Sequence, residues 1–472
     1  MGFLPVVLWT DALFFVLLAI GAATIVHVRR EAPLRAAWGR VGSRAAGMAS
    51  AVILLAFLVI GIADSLHFRP QLPAANGAPE NNAPVAHSSE VLSALDVVLS
   101  SLRTRVEKTY SAPFATALYA RETVELPGGG QSRIYPRLAW GGAHLGEATG
   151  ERDADVARRI ATGLAGAAGV WIAVAAILVL MLARRRGNGI SEAVRSLWRG
   201  ETALAWRAAL VTLACVLVVT ILAIKLAPYY HVFGTDKVGQ DVLYLSLKSV
   251  RTALIIGTLT TLVMLPFAVA LGIMAGYLGG WVDDVIQYVY TVLNAIPGVL
   301  LIAAAVLMMQ VVIDTHPQWF ATAAERADAR LLALCLILGI TSWTGLCRLL
   351  RGETLKLREL EYVQAARAFG VGTAAILRRH VLPNVMHIVM IALVMDFSGL
   401  VLAEAVLSYV GIGVDPTTIS FGTMINAARA ELAREPMVWW SLMAAFAFMF
   451  VLVLSANLFA DVVRDAFDPR RS

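Results

Sequence analysis

Residues 164–183 read LAGAAGVWIAVAAILVLMLA, an uncharged apolar run that is followed directly by Arg184-Arg185-Arg186. A membrane-spanning helix needs about 20 apolar residues, because a rise of about 1.5 Å per residue must cover about 30 Å of hydrocarbon. The run therefore predicts a helix that crosses a bilayer and ends at a basic interface. The composition agrees, since 58% of the 472 residues are hydrophobic and 15% are charged. An average soluble domain has about 25% charged residues, so an ordinary soluble enzyme is excluded.

Similar apolar runs recur along the whole chain and predict about nine spans. They lie at about 9–28, 47–66, 164–183, 208–227, 253–276, 285–312, 331–347, 386–409 and 438–461. The sixth is long and contains Pro297, which predicts a kink, a tilt or a broken helix. The expected fold class is an all-α polytopic membrane protein.

The basic residues predict the orientation of these spans. With nine spans the termini lie on opposite sides, and a cytoplasmic C-terminus places more than half of the 39 Lys and Arg residues in inner loops and the tail. The net charge of +6 is therefore read as an orientation signal and not as a sign of nucleic-acid binding. Met1–Thr10 carries no positive side chain, whereas Arg29-Arg30 follow the first run. This order predicts a retained helix with an outer N-terminus, not a cleaved signal peptide.

The chain divides into an N-terminal extension, 1–206, and a second region, 207–472, with the remaining six spans. The extension holds three spans and a long outer loop at about 67–163, which is expected to form a small periplasmic domain. This loop begins with a tract containing Pro70, Pro73, Pro79 and Pro84, typical of a linker. Apolar residues then recur at helical spacing over 91–106. Gly128-Gly129-Gly130 separates two segments that could pair as strands, and no Lys-Ser or Lys-Thr follows these glycines to make a phosphate cradle.

Loop 348–385 is the most informative segment for function. It reads RLLRGETLKLRELEYVQAARAFGVGTAAILRRHVLPNV and predicts helices at about 353–369 and 372–380. Gly370 can end the first helix with positive φ, and Leu382-Pro383-Asn384 is expected to close the second. A basic helix–turn–helix with small residues at Ala365-Ala366 favours the docking of a soluble partner. Composition alone leaves open an ordinary solvated basic loop.

Several ordered motifs resemble the permease subunits of ATP-binding-cassette (ABC) transporters, in the branch that imports dipeptides, oligopeptides and nickel. The likeness covers most of 228–470, about half of the chain. The motifs are EYVQAARAFG (361–370), RRHVLPN (378–384), FGTDKVGQDV (233–242), MAGYLGGWVDD (274–284), NAIPGVLL (294–301), LVLAEAVLSYVGIGV (400–414) and DAFDPR (465–470). Within this branch the chain is most similar to the C-type permease, which pairs with a different permease chain.

The resemblance implies a six-helix permease core that forms half of a translocation pathway in the bacterial inner membrane. Its partners would be a second permease, two ATP-binding subunits and a periplasmic or extracellular solute-binding protein. The implied ATPase-coupling residues are Glu361, Gln364, Ala365, Ala366, Gly370, Arg379, His380, Leu382 and Pro383. Two positions depart from the family pattern: Gln364 stands where glutamate is frequent, and Gln240 where arginine is common. No Gly-Lys dipeptide occurs, so no Walker A motif exists. ATP and Mg²⁺ are therefore expected on separate subunits, with no catalytic residue, metal or cofactor on this chain.

Other polar and proline residues are candidates for the pathway or the receptor side. Asn294, Pro297, Asp396 and Glu404 are candidates for the pathway, because an intramembrane carboxylate usually faces a partner or a water-filled cavity. Structural hydrogen bonds or a packing kink are the alternatives. Asp236 and Asp241 belong to an outer loop where a receptor could dock, although a turn-forming Asp236 explains the pattern equally well. Asp283 and Asp284 are expected in a solvated cytoplasmic loop.

Two other classes of function need consideration. An ATP-independent secondary transporter or channel would be favoured by charged residues in several spans or by an inverted repeat, and neither is evident. A membrane-anchored enzyme would place its chemistry in 67–163, which contains no HExxH, no GxSxG and no metal-ligand run. The sequence does not distinguish dipeptides, oligopeptides, nickel or other solutes as substrate, and it does not define the role of the extension.

Overall fold

The computed structural model describes residues 3–71, 87–125, 131–146, 151–187 and 189–467. Pro73, Pro79, Pro84, the three glycines at 128–130 and the end of the DAFDPR motif lie outside these residues.

The described residues form eighteen α-helices and five short strands. The helices are α1 (Trp9–Arg30), α2 (Ala32–Ser43), α3 (Ala45–Ser65), α4 (Ala94–Val98), α5 (Ser100–Thr104), α6 (Glu151–Arg186), α7 (Ile190–Arg199), α8 (Trp206–Leu226), α9 (Val242–Leu278), α10 (Gly280–Ala295), α11 (Gly298–Thr315), α12 (Ala323–Ser342), α13 (Thr344–Arg358), α14 (Glu361–Ala368), α15 (Thr373–Ile376), α16 (Leu382–Val410), α17 (Phe421–Glu431) and α18 (Trp440–Phe467). The strands are β1 (Phe3–Val6), β2 (His67–Pro70), β3 (Leu92–Ser93), β4 (Glu122–Glu125) and β5 (Gln131–Ile134).

Nine helical segments of the described chain are long and apolar enough to cross a membrane, which confirms the predicted all-α polytopic class. They are α1, α3, α6, α8, α9, α11, the continuous pair α12–α13, the segment Thr373–Val410 and α18. The predicted sixth span is two helices, α10 and α11. Ile296 is extended, with φ −86° and ψ 131°, and Pro297 precedes α11. Proline lacks an N–H and disfavours the helical conformation of the residue before it, so the predicted break is confirmed.

The first of two compact units contains the described residues of 1–6, 39–252 and 419–455. In it, α6 and α3 both pack against α8. The indole Nε1 of Trp171 donates to the carbonyl oxygen of Leu210 at 2.8 Å, so this tryptophan joins α6 to α8. Strands β1, β2 and β3 form one antiparallel sheet in which Pro70 is paired opposite Phe3. Pro70 is therefore part of a strand and not of the predicted linker.

The outer loop of this unit confirms one sequence prediction and corrects another. Strands β4 and β5 pair antiparallel, with Glu122 opposite Ile134, as the two segments around the glycines predicted. The helical periodicity over 91–106 does not form one helix, because the chain breaks at Leu99 between α4 and α5. Leu95 and Leu102 are buried, but Val98 and Val106 of the same periodic set are exposed, so only part of the predicted apolar face packs.

The second unit contains 7–38, 253–418 and the described residues of 456–472. Its core joins α9, α13, α14 and the start of α16, with Leu350, Val363, Ile376 and Val385 all buried in one cluster. Two glycines allow α9 to approach α13 closely. A Cβ at Gly272 would lie 2.8 Å from the carbonyl oxygen of Cys347, and one at Gly276 would lie 2.6 Å from the Cβ of Thr354. Such small-residue contacts let helix backbones pack tightly within a membrane.

Candidate functional site

The coupling loop, 348–385, is built from short helices that correct the predicted helix boundaries. The predicted helix 353–369 is two helices, because Leu360 is extended at φ −73° and ψ 142° between α13 and α14. Leu382-Pro383-Asn384 does not end a helix. A π-helical turn, Leu377–Val381, runs directly into α16, and Pro383 lies in the first turn of α16. Because the chain stays helical through this junction, Pro383 removes one backbone donor there, directly after the π-helical turn.

Gly370 ends α14 with the predicted positive φ, here +75°. The N–H of Val371 donates to the carbonyl oxygen of Ala366 at 3.1 Å, and the N–H of Gly370 donates to that of Arg367 at 3.0 Å. These two bonds are the Schellman motif, which needs a left-handed residue and so favours glycine. The turn between α14 and α15 therefore has a defined backbone and is not an open connection.

One face of α14 is held by the core and the opposite face is exposed. Val363 is 1% exposed, whereas Glu361, Gln364 and Ala365 are exposed and Ala366 is half-buried. Phe369 is 87% exposed at the end of the helix. Phe369 is not among the coupling residues predicted above, although a large aromatic residue directly before a C-terminal helix glycine was a usable signal. An exposed aromatic side chain on a fixed helix end has the character of an interface anchor.

The remaining predicted coupling residues lie on the next turns. Arg379 and Pro383 are exposed, while His380 and Leu382 are half-buried. The ring of His380 lies 5.9 Å from that of Tyr362, and the carbonyl oxygen of His380 accepts from Asn384 Nδ2 at 2.5 Å. The structure thus brings α14 and the π-helical turn together. It gives His380 a structural contact in addition to its place on the loop.

An open cavity of about 640 Å³ lies beside α14. Its walls combine apolar side chains with the guanidinium groups of Arg358 and Arg367. The lining residues are Tyr277, Leu278, Arg358, Glu359, Val363, Gln364, Arg367, Ala368, Val371, Thr373 and Ile376. Arg358 Nε donates to Glu359 at 3.1 Å, and a cleft of this size can accept a helix end from a soluble protein.

Asp283 fixes the start of α10 to α13, which corrects the prediction of a solvated loop residue. Its two carboxylate oxygens accept from Nε and Nη2 of Arg351, each at 2.6 Å, and its side chain is 13% exposed. This bidentate geometry is the strongest form of an arginine–carboxylate contact. Asp284 is exposed, as expected.

The four pathway candidates have different environments, and no hydrogen bond joins them to one another within the described chain. Asn294 is exposed and accepts from Thr344 Oγ1 at 3.2 Å. Pro297 is exposed at the break before α11. Glu404 is 1% exposed and accepts from Ser408 Oγ at 2.6 Å, which favours its structural alternative. Asp396 is half-buried and has no hydrogen bond or ion pair with any described residue.

The C-terminal part of the chain matches a known family. The model of the "Binding-protein-dependent transport system inner membrane component" family matches residues 268–472. The chain is 31% identical over 239 residues to the oligopeptide transport system permease protein OppC of Mycobacterium tuberculosis, covering 51% of this chain and 76% of the relative. It is 32% identical over 240 residues to the glutathione transport system permease protein GsiD of Pectobacterium atrosepticum, covering 51% and 73%.

The chain belongs to this permease family. It is a multi-pass inner-membrane subunit of an ABC importer and not an enzyme, because in these systems ATP hydrolysis belongs to a separate subunit. The resemblance stated from the sequence motifs is therefore confirmed. The family match begins within α9. The segment between α3 and α6, predicted above as the outer loop and called the insert below, therefore lies outside the matched region.

Asp241, which was predicted in a receptor-side loop, is a buried cap at the start of α9. It is 0% exposed, its Oδ1 accepts from the N–H of Leu243 at 2.8 Å, and its Oδ2 contacts His231 Nδ1 at 2.7 Å. The first turn of α9 and His231 thus occupy both carboxylate oxygens of Asp241, and its receptor-side role stays a prediction. Asp236 accepts from the N–H groups of Val238 and Gln240, both at 2.9 Å, in a turn.

Glu107 of the insert completes a buried charge cluster with His231 and Asp241. Its carboxylate contacts His231 Nε2 at 3.3 Å and accepts from the N–H groups of Ala139, Trp140 and Gly141. Burial opposes the charge on Glu107, but these hydrogen bonds lower its pKa to about 2. Burial also opposes a charged His231, but the bonds to Asp241 and Glu107 raise its pKa to about 9. This cluster could not be predicted from local sequence patterns, because Glu107 and His231 are 124 residues apart.

The insert also contacts the end of α17, the start of α18 and the segment between them. The hydroxyl of Tyr110 donates to Glu431 at 3.2 Å, and the Arg434 guanidinium lies 4.8 Å from the Tyr110 ring centroid. The Tyr119 ring stands edge-on to Trp440 at 4.8 Å. The insert is therefore fixed to the end of α17 and the start of α18 by aromatic, polar and charged contacts.

Proposed function

We propose that this permease forms half of a pathway that carries peptides or related small solutes across the bacterial inner membrane. The matched relatives are named for oligopeptide, dipeptide and glutathione transport, which supports a peptide-type substrate. Nickel, the other substrate class of the resemblance, stays open. The bilayer surrounds the nine spans, and nucleic acid has no part in the proposal.

The proposed assembly contains a second permease, two ATP-binding subunits that use ATP and Mg²⁺, and a solute-binding protein. The observation that carries this proposal is the coupling loop, where Val363 holds α14 to the core while Phe369 is exposed at its Schellman end. A rigid helix seated in a partner transmits the partner's rotation to the spans that hold it. We assign Glu361, Ala365, Ala366 and Phe369 to the ATPase contact, with Gln364 and Arg367 facing the adjoining cleft.

The proposed orientation has the N-terminus outside and the C-terminus in the cytoplasm. It rests on the excess of Lys and Arg that this orientation places in the cytoplasmic loops. In the pathway, Asp396 is the candidate for contact with the amino group of a peptide, because its carboxylate is half-buried without a described partner. Asn294 and Pro297 lie at the exposed break between α10 and α11 and are proposed to line the same route.

We assign the insert to contact with the solute-binding protein or the second permease. It exposes large apolar side chains on the outer side, including Val98 at 76%, Tyr135 at 52% and Trp140 at 45%.

Uptake in a deletion strain complemented with this chain tests the proposal. We expect ATP-dependent, binding-protein-dependent uptake of a labelled peptide, reduced by excess dipeptide or oligopeptide. If nickel and no peptide reduced the uptake, nickel would replace peptides as the proposed substrate class, and the assignment as an importer would stand. Uptake in the absence of any associated ATPase would favour the secondary-transporter alternative and overturn the proposal. A variant lacking residues 87–146 with unchanged uptake would remove the role assigned to the insert.

A further inference from the structure

Helix α7 is amphipathic and leaves a large apolar stripe exposed. Ile190, Val194 and Trp198 recur every four residues, which places them on one side of the helix. Their exposed fractions are 57%, 47% and 77%. Arg195 and Arg199 follow one residue later, about 100° around the helix from Val194 and Trp198, and both are exposed.

The position of α7 relative to α6 shows that the stripe lies at the depth of the membrane surface. Ala193 packs against Val179 and Ala183 of α6, and Leu197 joins the same cluster. Val179 and Ala183 belong to the last turns of the uncharged run 164–183. The packed side of α7 therefore lies beside the end of a membrane span. The exposed Ile190–Val194–Trp198 stripe lies at the same depth as that end.

The connections of α7 prevent it from leaving this level. It begins at Ile190, directly after α6 ends at Arg186, and it ends at Gly200 with φ +74°. The next span, α8, starts at Trp206, and Arg207 donates to the carbonyl oxygen of Trp198 at 3.4 Å. These connections hold the short helix α7 next to the ends of two membrane spans.

The charges around α7 select the kind of lipid surface that it fits. Five arginines with exposed side chains surround it: Arg184, Arg185, Arg195, Arg199 and Arg207. A helix with tryptophan and aliphatic residues on one side and arginines at its edge is typical of in-plane binding to anionic lipids. We propose that α7 is an in-plane membrane helix that binds the headgroups of anionic phospholipids, with Trp198 as its interfacial anchor.

Lipid quenching in nanodiscs tests this proposal on the full chain. An environment-sensitive fluorophore is attached at Val194→Cys in a Cys215→Ser background, since Cys335 and Cys347 are buried. The control carries the fluorophore at Glu192→Cys, on the opposite side of the same helix. We expect strong quenching of the probe at position 194 by lipids spin-labelled near the headgroup, and weak quenching of the probe at position 192. In mixed nanodiscs, spin-labelled phosphatidylglycerol should quench the probe at position 194 more strongly than spin-labelled phosphatidylcholine does.

The arginines are tested by Arg195→Gln and Arg199→Gln in the same assay. Each substitution should reduce the preference for phosphatidylglycerol about fivefold, because one basic residue near an anionic surface contributes about a factor of that size. Arg121→Gln and Arg133→Gln on the insert are the matched controls and should leave the preference unchanged. Labelling at native Cys215 in the otherwise unchanged arginine variants checks that α8 remains in the bilayer.

Three results would overturn the proposal. Equal quenching at positions 192 and 194 would show that the stripe does not face lipid. A preference for phosphatidylglycerol that persists after both arginine substitutions would remove the role of the charges. Protection of the position-194 probe by a co-purified protein, with no quenching by lipid, would make the stripe a protein interface.

Discussion

Replacing Gly370 with valine should separate the ATPase subunits from this permease without unfolding the membrane spans. Gly370 has φ +75° in the Schellman turn of α14, and its backbone closes that turn through the bond from its N–H to Arg367. A β-branched residue rarely adopts positive φ. Space is not the obstacle, because a Cβ at this position would meet no atom within 4 Å.

The expected magnitude follows from the backbone strain alone. Holding a non-glycine residue in the left-handed region costs about 1–3 kcal/mol. A strain of about 2 kcal/mol on the docking conformation lowers the apparent affinity for a partner about 30-fold. Gly370→Asn should retain most of the affinity, since asparagine tolerates this conformation better.

Gly372 provides a matched control two residues away. It has φ −62° and ψ 143° as the residue before α15, and a Cβ there also meets no atom within 4 Å. Gly372→Thr adds a side chain of the same shape as valine, and threonine is favoured at a helix N-cap. We therefore expect Gly372→Thr to keep the ATPase subunits.

The assay is affinity purification of the permease complex, with the ATPase content measured beside ATP-dependent uptake in proteoliposomes. Gly370→Val should lose both, while its thermal unfolding in detergent stays close to that of the unchanged chain. Equal losses in Gly370→Val and Gly372→Thr would mean that bulk and not backbone conformation is responsible. Full retention in Gly370→Val would refute the assigned role of the turn.

Three further predictions test packing, charge and the pathway. Gly276→Val should lower the free energy of unfolding by about 2 kcal/mol, because the added side chain overpacks against α13. A Cβ at Gly352 meets no atom within 4 Å, so Gly352→Val should not lower it. Thermal unfolding measures both variants. The pKa of Glu107 is lowered from its ordinary value of 4.5 to about 2, so the stability that its charge contributes to the fold is complete above pH 4.5 and is lost as the pH falls through 2. The pKa of His231 is raised from 6.5 to about 9, so the stability that its charge contributes is complete below pH 6.5 and is lost as the pH rises through 9. The protection factors of the amide hydrogens of residues 139–141, which correct for the intrinsic pH dependence of exchange, should therefore be highest between pH 4.5 and pH 6.5. Glu107→Gln should flatten the acid side of this profile, and an unchanged profile would exclude the cluster as its cause. Asp396→Asn should reduce peptide uptake several-fold while ATPase content is unchanged, and equal uptake would exclude the carboxylate from the pathway.

Hydrophobic length predicted most of the fold because the bilayer imposes it. Each of the nine runs must satisfy its backbone hydrogen bonds internally, so an apolar run of sufficient length forms a helix. Pro297 predicted the break before α11, and Gly370 predicted the end of α14, since both residues act through their own backbone. Such effects depend on one residue and its immediate neighbours, so they can be predicted from the sequence.

The errors arose where distant contacts or neighbouring turns decide the structure. Nothing in the residue type of Leu360 marks the end of one helix and the start of another. Asp241 resembles a loop acid in sequence, but His231 and the first turn of α9 bury it. Asp283 became a structural anchor only because Arg351, 68 residues later, faces it.

Photo-crosslinking from position 369 tests the central claim most directly. A photoreactive amino acid replaces Phe369 in the full chain, and native membranes are irradiated with and without ATP before mass spectrometry of the crosslinked products. The same amino acid in place of Val98, on the outer insert, is the control. The account predicts a crosslink from position 369 to an ATP-binding subunit, with a yield that changes on addition of ATP, and none from position 98. ATP-dependent uptake by this chain with no such crosslink from position 369 would contradict it.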